Sequence, residues 1–163
     1  MKTELTELNI LFRVQHGNKF DYNKMELCNL KDGGILFIGR SGENNGIVGF
    51  VEKDDNIEPY DAGLITVALG GSTLSSFVQP YPFYTAQNID VLVPIVEMSL
   101  DIKLYYCICI MQNRFRYSTF GREANRTLKN ILVPKLESVP QWVNGITKIA
   151  AEELRQNLLE WSI

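Results

Sequence analysis

Residues 37–50 read FIGRSGENNGIVGF, and this stretch decides the fold. An apolar run stops at Arg40, a polar tip of Ser, Gly, Glu and Asn follows, and apolar residues resume at Ile47. Two short apolar runs separated by Asn and Gly read as a hairpin. The turn signal Asp32-Gly33-Gly34 lies just before it, so strands are expected over 35–39 and 47–52. Working outward, further strands are expected at 64–69, 75–78, 89–93 and 131–133. Tyr84 and Thr85 read as a turn, because Gln79-Pro80-Tyr81-Pro82 bars regular pairing just ahead of them. Residues 1–12 start as a capped turn or short helix, with Thr3 or Thr6 as the cap, and lead into a strand, and residues 23–28 read as another short helix. Ser99 is a fair N-cap for a helix that buries Leu100, Leu104, Tyr105, Cys107, Ile108 and Met111. Pro140 starts a terminal helix, with Ile146, Ile149, Ala150, Leu154, Leu158 and Trp161 at helical spacing. Many short strands, one central buried helix and one C-terminal helix make an α+β domain.

The 163 residues suffice for one domain with a real core. No apolar stretch approaches a membrane span, and the N-terminus lacks a signal-peptide core, so a cytoplasmic protein is expected. Cys28, Cys107 and Cys109 have no zinc spacing, and the sole histidine, His16, has no metal partner nearby in sequence. All four are read as non-catalytic, with no metal and no cofactor. The net charge of −3 argues against a simple nucleic-acid coat, but the charge is uneven. Residues 41–102 carry one lysine and nine acids, whereas residues 103–135 carry seven basic groups and one acid. Such asymmetry gives a directional electrostatic face.

Catalytic patterns are weak. Asp90 with Asp101-Ile102-Lys103 has the spacing of a metal-dependent nuclease site, but Asp101 and Lys103 fall in a helix rather than on adjoining strands. Residues 56–60, NIEPY, only faintly echo a methyltransferase loop, Gly70-Gly71-Ser72 lacks P-loop spacing, and no nucleophile elbow occurs. The chain is therefore not expected to be an enzyme. The polar tips suit nucleic acid better. Arginine pairs with guanine, and asparagine or glutamine with adenine. Arg40, Ser41, Asn44 and Asn45 occupy one tip, and Gln87 and Asn88 precede a strand. Arg114, Arg116, Arg122, Arg126 and Lys129 supply phosphate-seeking charge, interleaved with Phe115, Tyr117 and Phe120. Each feature alone also has a plain structural explanation in turns, strand caps or core. Their combination with the basic block favours DNA.

The ordered series FIGRSGENNGIVGFV (37–51), PYDAGLITVALGGS (59–72), SSFVQPYPFYTAQNIDVLVP (75–94) and FRYSTFGREANRTLKNILVP (115–134) resembles the target recognition domain of type I restriction–modification specificity subunits and of related type IIB and IIG enzymes. FRVQHGNKFDYNKME (12–26) looks like the entry of that domain, and VPQWVNGI (139–146) like its exit. The resemblance implies a target recognition domain over 1–138 and, over 139–163, the start of a spacer or dimerisation helix. It implies binding of double-stranded DNA at one half of a split site. It also implies docking of a methyltransferase subunit and, in type I systems, a restriction subunit. Arg40, Ser41, Asn44 and Asn45 match the family's glycine–arginine tip, Gly70 to Ser72 a second glycine loop, and Arg122 and Arg126 the basic loop. The chain departs from the family in having one such domain and a short terminal helix. That leaves a half-subunit pairing with a second copy through Ile146, Ile149, Leu154, Leu158 and Trp161, or a single-domain IIB-like module. A third alternative is an anti-restriction or anti-defence inhibitor that reuses the fold.

Overall fold

The computed structural model describes residues 3–117 and 124–160, with Glu160 described by its backbone alone. The elements run β1 (Leu5–Glu7), α1 (Leu8–Leu11), β2 (Phe12–His16), β3 (Ile35–Ile38), β4 (Ile47–Val51), β5 (Ile65–Ala68), β6 (Ser76–Val78), β7 (Phe83–Thr85), β8 (Ile89–Pro94), α2 (Leu100–Met111), β9 (Leu132–Pro134) and α3 (Ile146–Glu160), with single helical turns between them. Three small sheets result: β2-β8-β5-β6, β4-β3-β7 and β1-β9. The architecture is α+β, as the alternation of short runs predicts.

The 35–51 hairpin forms as expected. Gly33, at φ 85°, ends the preceding turn in the left-handed region, where glycine pays no Cβ penalty. β3 and β4 then pair antiparallel, Ile35 opposite Val51, with a register shift between Phe37 and Ile38 that re-aims the tip. Both faces of β3 are covered. Leu36 and Ile38 pack with Phe83, Ile89 and Val91 on one side. Phe37 packs with Val51 and Tyr84 on the other. The largest core joins Leu8, Phe12, Ile65, Val67 and Leu92 to Tyr106, Cys107 and Ile110 of α2.

Five local expectations need correction. Residues 83–85 are a strand, β7, lying parallel to β3 with Phe37 opposite Tyr84. The prolines at 80 and 82 precede the ladder instead of breaking it. The N-terminal helix is only four residues long, is entered from Glu7 without a side-chain cap, and follows a strand. That strand exists because β9 satisfies its backbone from far along the chain, Thr6 opposite Val133. Residues 23–28 hold one helical turn, Tyr22–Lys24, and are then non-helical, because Cys28 N–H donates to the Phe50 carbonyl at 3.1 Å. α2 is capped by Ser99 as expected, its hydroxyl accepting from the Ile102 amide, but it buries Tyr106, Cys107 and Ile110 and exposes Leu100 and Ile108. Finally, α3 begins at Ile146, not Pro140. A single turn, Gln141–Val143, buries Val143, and Gly145 at φ 87° breaks the path between them. The Asp101 carboxylate of α2 then accepts from the Gly145 and Thr147 amides at 2.7 and 3.0 Å. From Lys148 to Leu159 every residue of α3 is exposed.

Candidate nucleic-acid interface

The hairpin tip is shaped by its backbone. Asn44 and Asn45 sit at φ 49° and 53°, in the left-handed region that asparagine enters more readily than other side-chain-bearing residues. Gly46 follows at φ 72°, and its carbonyl accepts from the Gly39 amide at 2.8 Å. The Asn44 amide donates to the Ile47 carbonyl. The two asparagines therefore answer first to the turn. Gln79 anchors the tip to the other sheet: fully buried, it donates through Nε2 to the Asn45 carbonyl at 2.9 Å and to Thr66 Oγ1 at 2.8 Å.

The glycine loop 70–72 docks against this tip. The Ser72 amide donates to the Arg40 carbonyl at 3.2 Å. Gly71, at φ 68°, lies so close that a Cβ there would stand 3.2 Å from Arg40 Cβ. Arg114 reaches the same loop, its Nε donating to the Thr73 carbonyl at 3.1 Å and its guanidinium to Ser75 Oγ at 2.7 Å. These contacts enclose an open groove of about 770 Å³, lined by Ser41–Glu43, Gly71–Thr73, Ser75, Arg114, Phe115 and Tyr117. Phe115 is 71% exposed at its edge, with the Arg116 guanidinium 5.6 Å from the ring centre.

A second cleft, of about 350 Å³, has Leu69 in its lining. It is lined by His16–Lys19, Asn88–Asp90, Asn125 and Arg126. The Leu69 amide donates to the Asn88 carbonyl, and the Leu69 carbonyl accepts from Ala124, so one short segment holds both openings together. At the cleft floor, the His16 imidazole Nδ1 meets Asp90 Oδ1 at 2.7 Å. Burial pushes the Asp90 carboxyl above its ordinary range, partly offset by the histidine.

The fold thus brings together Ser41 and Arg114 at the groove, and Asn88 and Arg126 at the cleft. Arg40, Asn44, Asn45, Gln87, Arg116 and Lys129 are exposed but line neither opening. Arg122 and Phe120 of the basic loop, and Trp161 of the terminal helix, lie outside the described residues. Ile146, Ile149, Leu154 and Leu158 are all exposed on α3. Reading by residue type missed Thr73, Ser75 and Gln79, and also the pairing of His16 with Asp90. No local signal marks that pair, since its members lie 74 residues apart. The nuclease-like trio is dispersed. Asp90 holds His16, Asp101 caps α3, and Lys103 Nζ donates to the Gly63 carbonyl. Among the described residues no group of three His, Cys, Asp or Glu side chains could hold a metal, and no helix is long and apolar enough to cross a membrane.

Comparison with known proteins gives this surface a context. The type II restriction enzyme specificity subunit S.BcgI of Heyndrickxia coagulans is 26% identical over 135 residues, which is 81% of this chain and 38% of that protein. Among solved structures, the S subunit of the type I restriction–modification system of M. genitalium matches 98% of this chain and 42% of its own, with a TM-score of 0.65 at 15% identity. The HsdS subunit of Thermoanaerobacter tengcongensis matches 94% of this chain and 39% of its own, with a TM-score of 0.59 at 14% identity. The chain therefore spans about two fifths of the length of these relatives. Residues 2–139 match the model of the type I restriction modification DNA specificity domain, and the chain belongs to that family.

Proposed function

We propose that this chain is the sequence-reading module of a restriction–modification system. In this reading it recognises one half of a split site in double-stranded DNA and leaves catalysis to a docked methyltransferase, joined in a type I system by a restriction subunit. The observation that carries the reading is the convergence of three separate segments, 41–43, 71–75 and 114–117, on one groove edged by an arginine and an exposed aromatic ring. Phosphate-seeking charge there would fix register on the duplex, and exposed amides would meet base edges. Residues 1–138 would do the reading. Residues 139–163, through the apolar side chains of α3, would meet a second copy or another subunit, since a helix with such a stripe leaves area to bury. The module would work in the cytoplasm, where the DNA is. The inhibitor alternative gains nothing from the relatives named above, which belong to restriction–modification systems.

Selection from randomised duplex DNA tests the reading, with the full chain alone and with a type I methyltransferase subunit added. The expected result is an enriched motif of about three to five base pairs, single or as two copies at fixed spacing. Binding should weaken steeply with salt. Four phosphate contacts would give a slope of log K against log salt of roughly −3 to −4. A flat salt response with no enrichment in either condition sinks the proposal.

A further inference from the structure

Asp90 is out of place for a purely structural residue. It lies on β8, an interior strand flanked by β2 and β5, directly opposite Val67. Its side chain is only 1% exposed. A carboxylate in that position costs the fold unless it is paired, and its partner, His16, is 78% exposed. A buried ion held by an exposed group stabilises poorly, because water competes for the partner. What the pair does achieve is orientation. Asp90 holds the Nδ1 edge of the ring, which leaves Nε2 as the other nitrogen of a mostly exposed side chain that lines a cleft with Lys19, Asn88 and Arg126. A histidine whose one nitrogen is held by a carboxylate has its tautomer set, and the other nitrogen becomes the working atom. Neutral, that atom accepts a hydrogen bond. Protonated, it donates one.

Resting on the DNA-reading proposal above, we propose that His16 reads one base edge of the bound duplex through its Nε2, with Asp90 as its positioning residue. The neutral ring accepts from an exocyclic amino group of adenine or cytosine. The charged ring donates to guanine N7 or O6. Asp90 from β8, Lys19 from the turn after β2 and Arg126 from the loop before β9 line the same cleft as His16. The Tyr60 hydroxyl steadies the His16 backbone, donating to its carbonyl at 3.0 Å. Lys19 and Arg126 anchor phosphate beside the reader.

The test is selection from the same randomised duplex pool with the full wild-type chain, His16→Gln and Asp90→Asn. For His16→Gln, discrimination at one position of the motif should fall about tenfold, with the rest of the motif intact. Asp90→Asn should relax the same position without lowering the unfolding midpoint, because a group whose charged form is penalised by burial gains from neutralisation. Identical motifs for wild type and His16→Gln overturn the inference while leaving the DNA-reading function standing. So does an Asp90→Asn chain that loses stability but keeps its motif. A wild-type chain that enriches no motif overturns both. Gln and Asn can each offer the Asp90 carboxylate an amide donor in place of the imidazole, so His16→Asn serves as a second variant, and an unfolding midpoint near that of wild type confirms that the fold stands in either.

Discussion

The groove rim and the root of α3 are held in opposite ways. At the rim, five segments bind one another. Ser72 bonds Arg40, Arg114 bonds Thr73 and Ser75, Gln79 bonds Asn45, and Asn88 bonds Leu69. Loss of one bond leaves the rest. At the root of α3, two amides converge on one carboxylate, Asp101, and the helix beyond it is exposed from Lys148 to Leu159. A surface that must present fixed groups to a rigid duplex gains from redundancy. A helix with an exposed apolar stripe, such as Leu158 at 61% exposure, gains from a single adjustable root, because its final position depends on what covers it.

The sharpest way to break the rim is through its closest backbone approach. Gly71→Val forces a β-branched residue to φ 68°, against Arg40 Cβ at 3.2 Å. Left-handed backbone alone costs about 1–2 kcal/mol. With the displaced Arg40 segment, a loss of about 2–3 kcal/mol is expected, read as a lower denaturant midpoint at unchanged slope. If the variant unfolds like wild type, the loop does not dock as described.

Gln79→Ala should act more mildly. It removes one buried and one part-buried hydrogen bond and takes the side-chain donor from the Asn45 carbonyl, while the Thr66 hydroxyl keeps the Phe77 carbonyl, a loss of about 1–3 kcal/mol. The lower end is expected, because Gln79 Oε1 is itself buried without a partner among the described residues, so the native residue already carries a cost. Amide exchange should quicken at Gly46, whose neighbour Gln79 holds, and stay unchanged at Gly145. Equal acceleration at both would mean that rim and root unfold as one unit, which erases the contrast drawn above.

What the sequence reveals divides along the same line. The 35–51 hairpin is legible because its turn residues are local: glycine and asparagine enter the φ values of 49° to 72° found there more readily than other residues. The Ser41 and Arg114 groups at the groove are legible by residue type, and the glycine loop 70–72 by its composition, but the docking of that loop against both is not. β7 escapes notice because three residues after two prolines carry no periodicity, and its ladder partner is β3, far back in the chain. The buried face of α2 is misread because that helix is apolar on most sides. A helix of that kind gives no stripe to follow, and the choice of Tyr106, Cys107 and Ile110 is made by the strands beneath. The His16–Asp90 pair is invisible for the same reason as β7. It is a contact between distant strands, fixed by the β2–β8 register that sets His16 opposite Asp90.

The smallest expected effect is at the root of α3, and it depends on pH. Hydrogen bonds from Thr147, through its hydroxyl and its amide, and from the Gly145 amide hold the Asp101 carboxyl below its ordinary range. A group whose folded value is depressed contributes stability above its unfolded value, near 4, and that contribution is lost as pH falls through the lower, folded value. Acidification from pH 6 toward pH 2 should therefore release the Gly145 and Thr147 amides first, fraying the start of α3 while the rim amides Gly46 and Ser72, held by neutral carbonyl acceptors, stay protected. Asp101→Ala should reproduce this at pH 7. Because the half-buried carboxylate holds only the first turn of a helix that is exposed beyond it, global stability should barely move, and the change should appear only in amide exchange at these two positions and in a wider spread of distances between a label on α3 and one on β5. Protection at Gly145 and Thr147 that survives both acid and the substitution would mean that packing of Val143, not the carboxylate, sets the direction in which the helix leaves the domain.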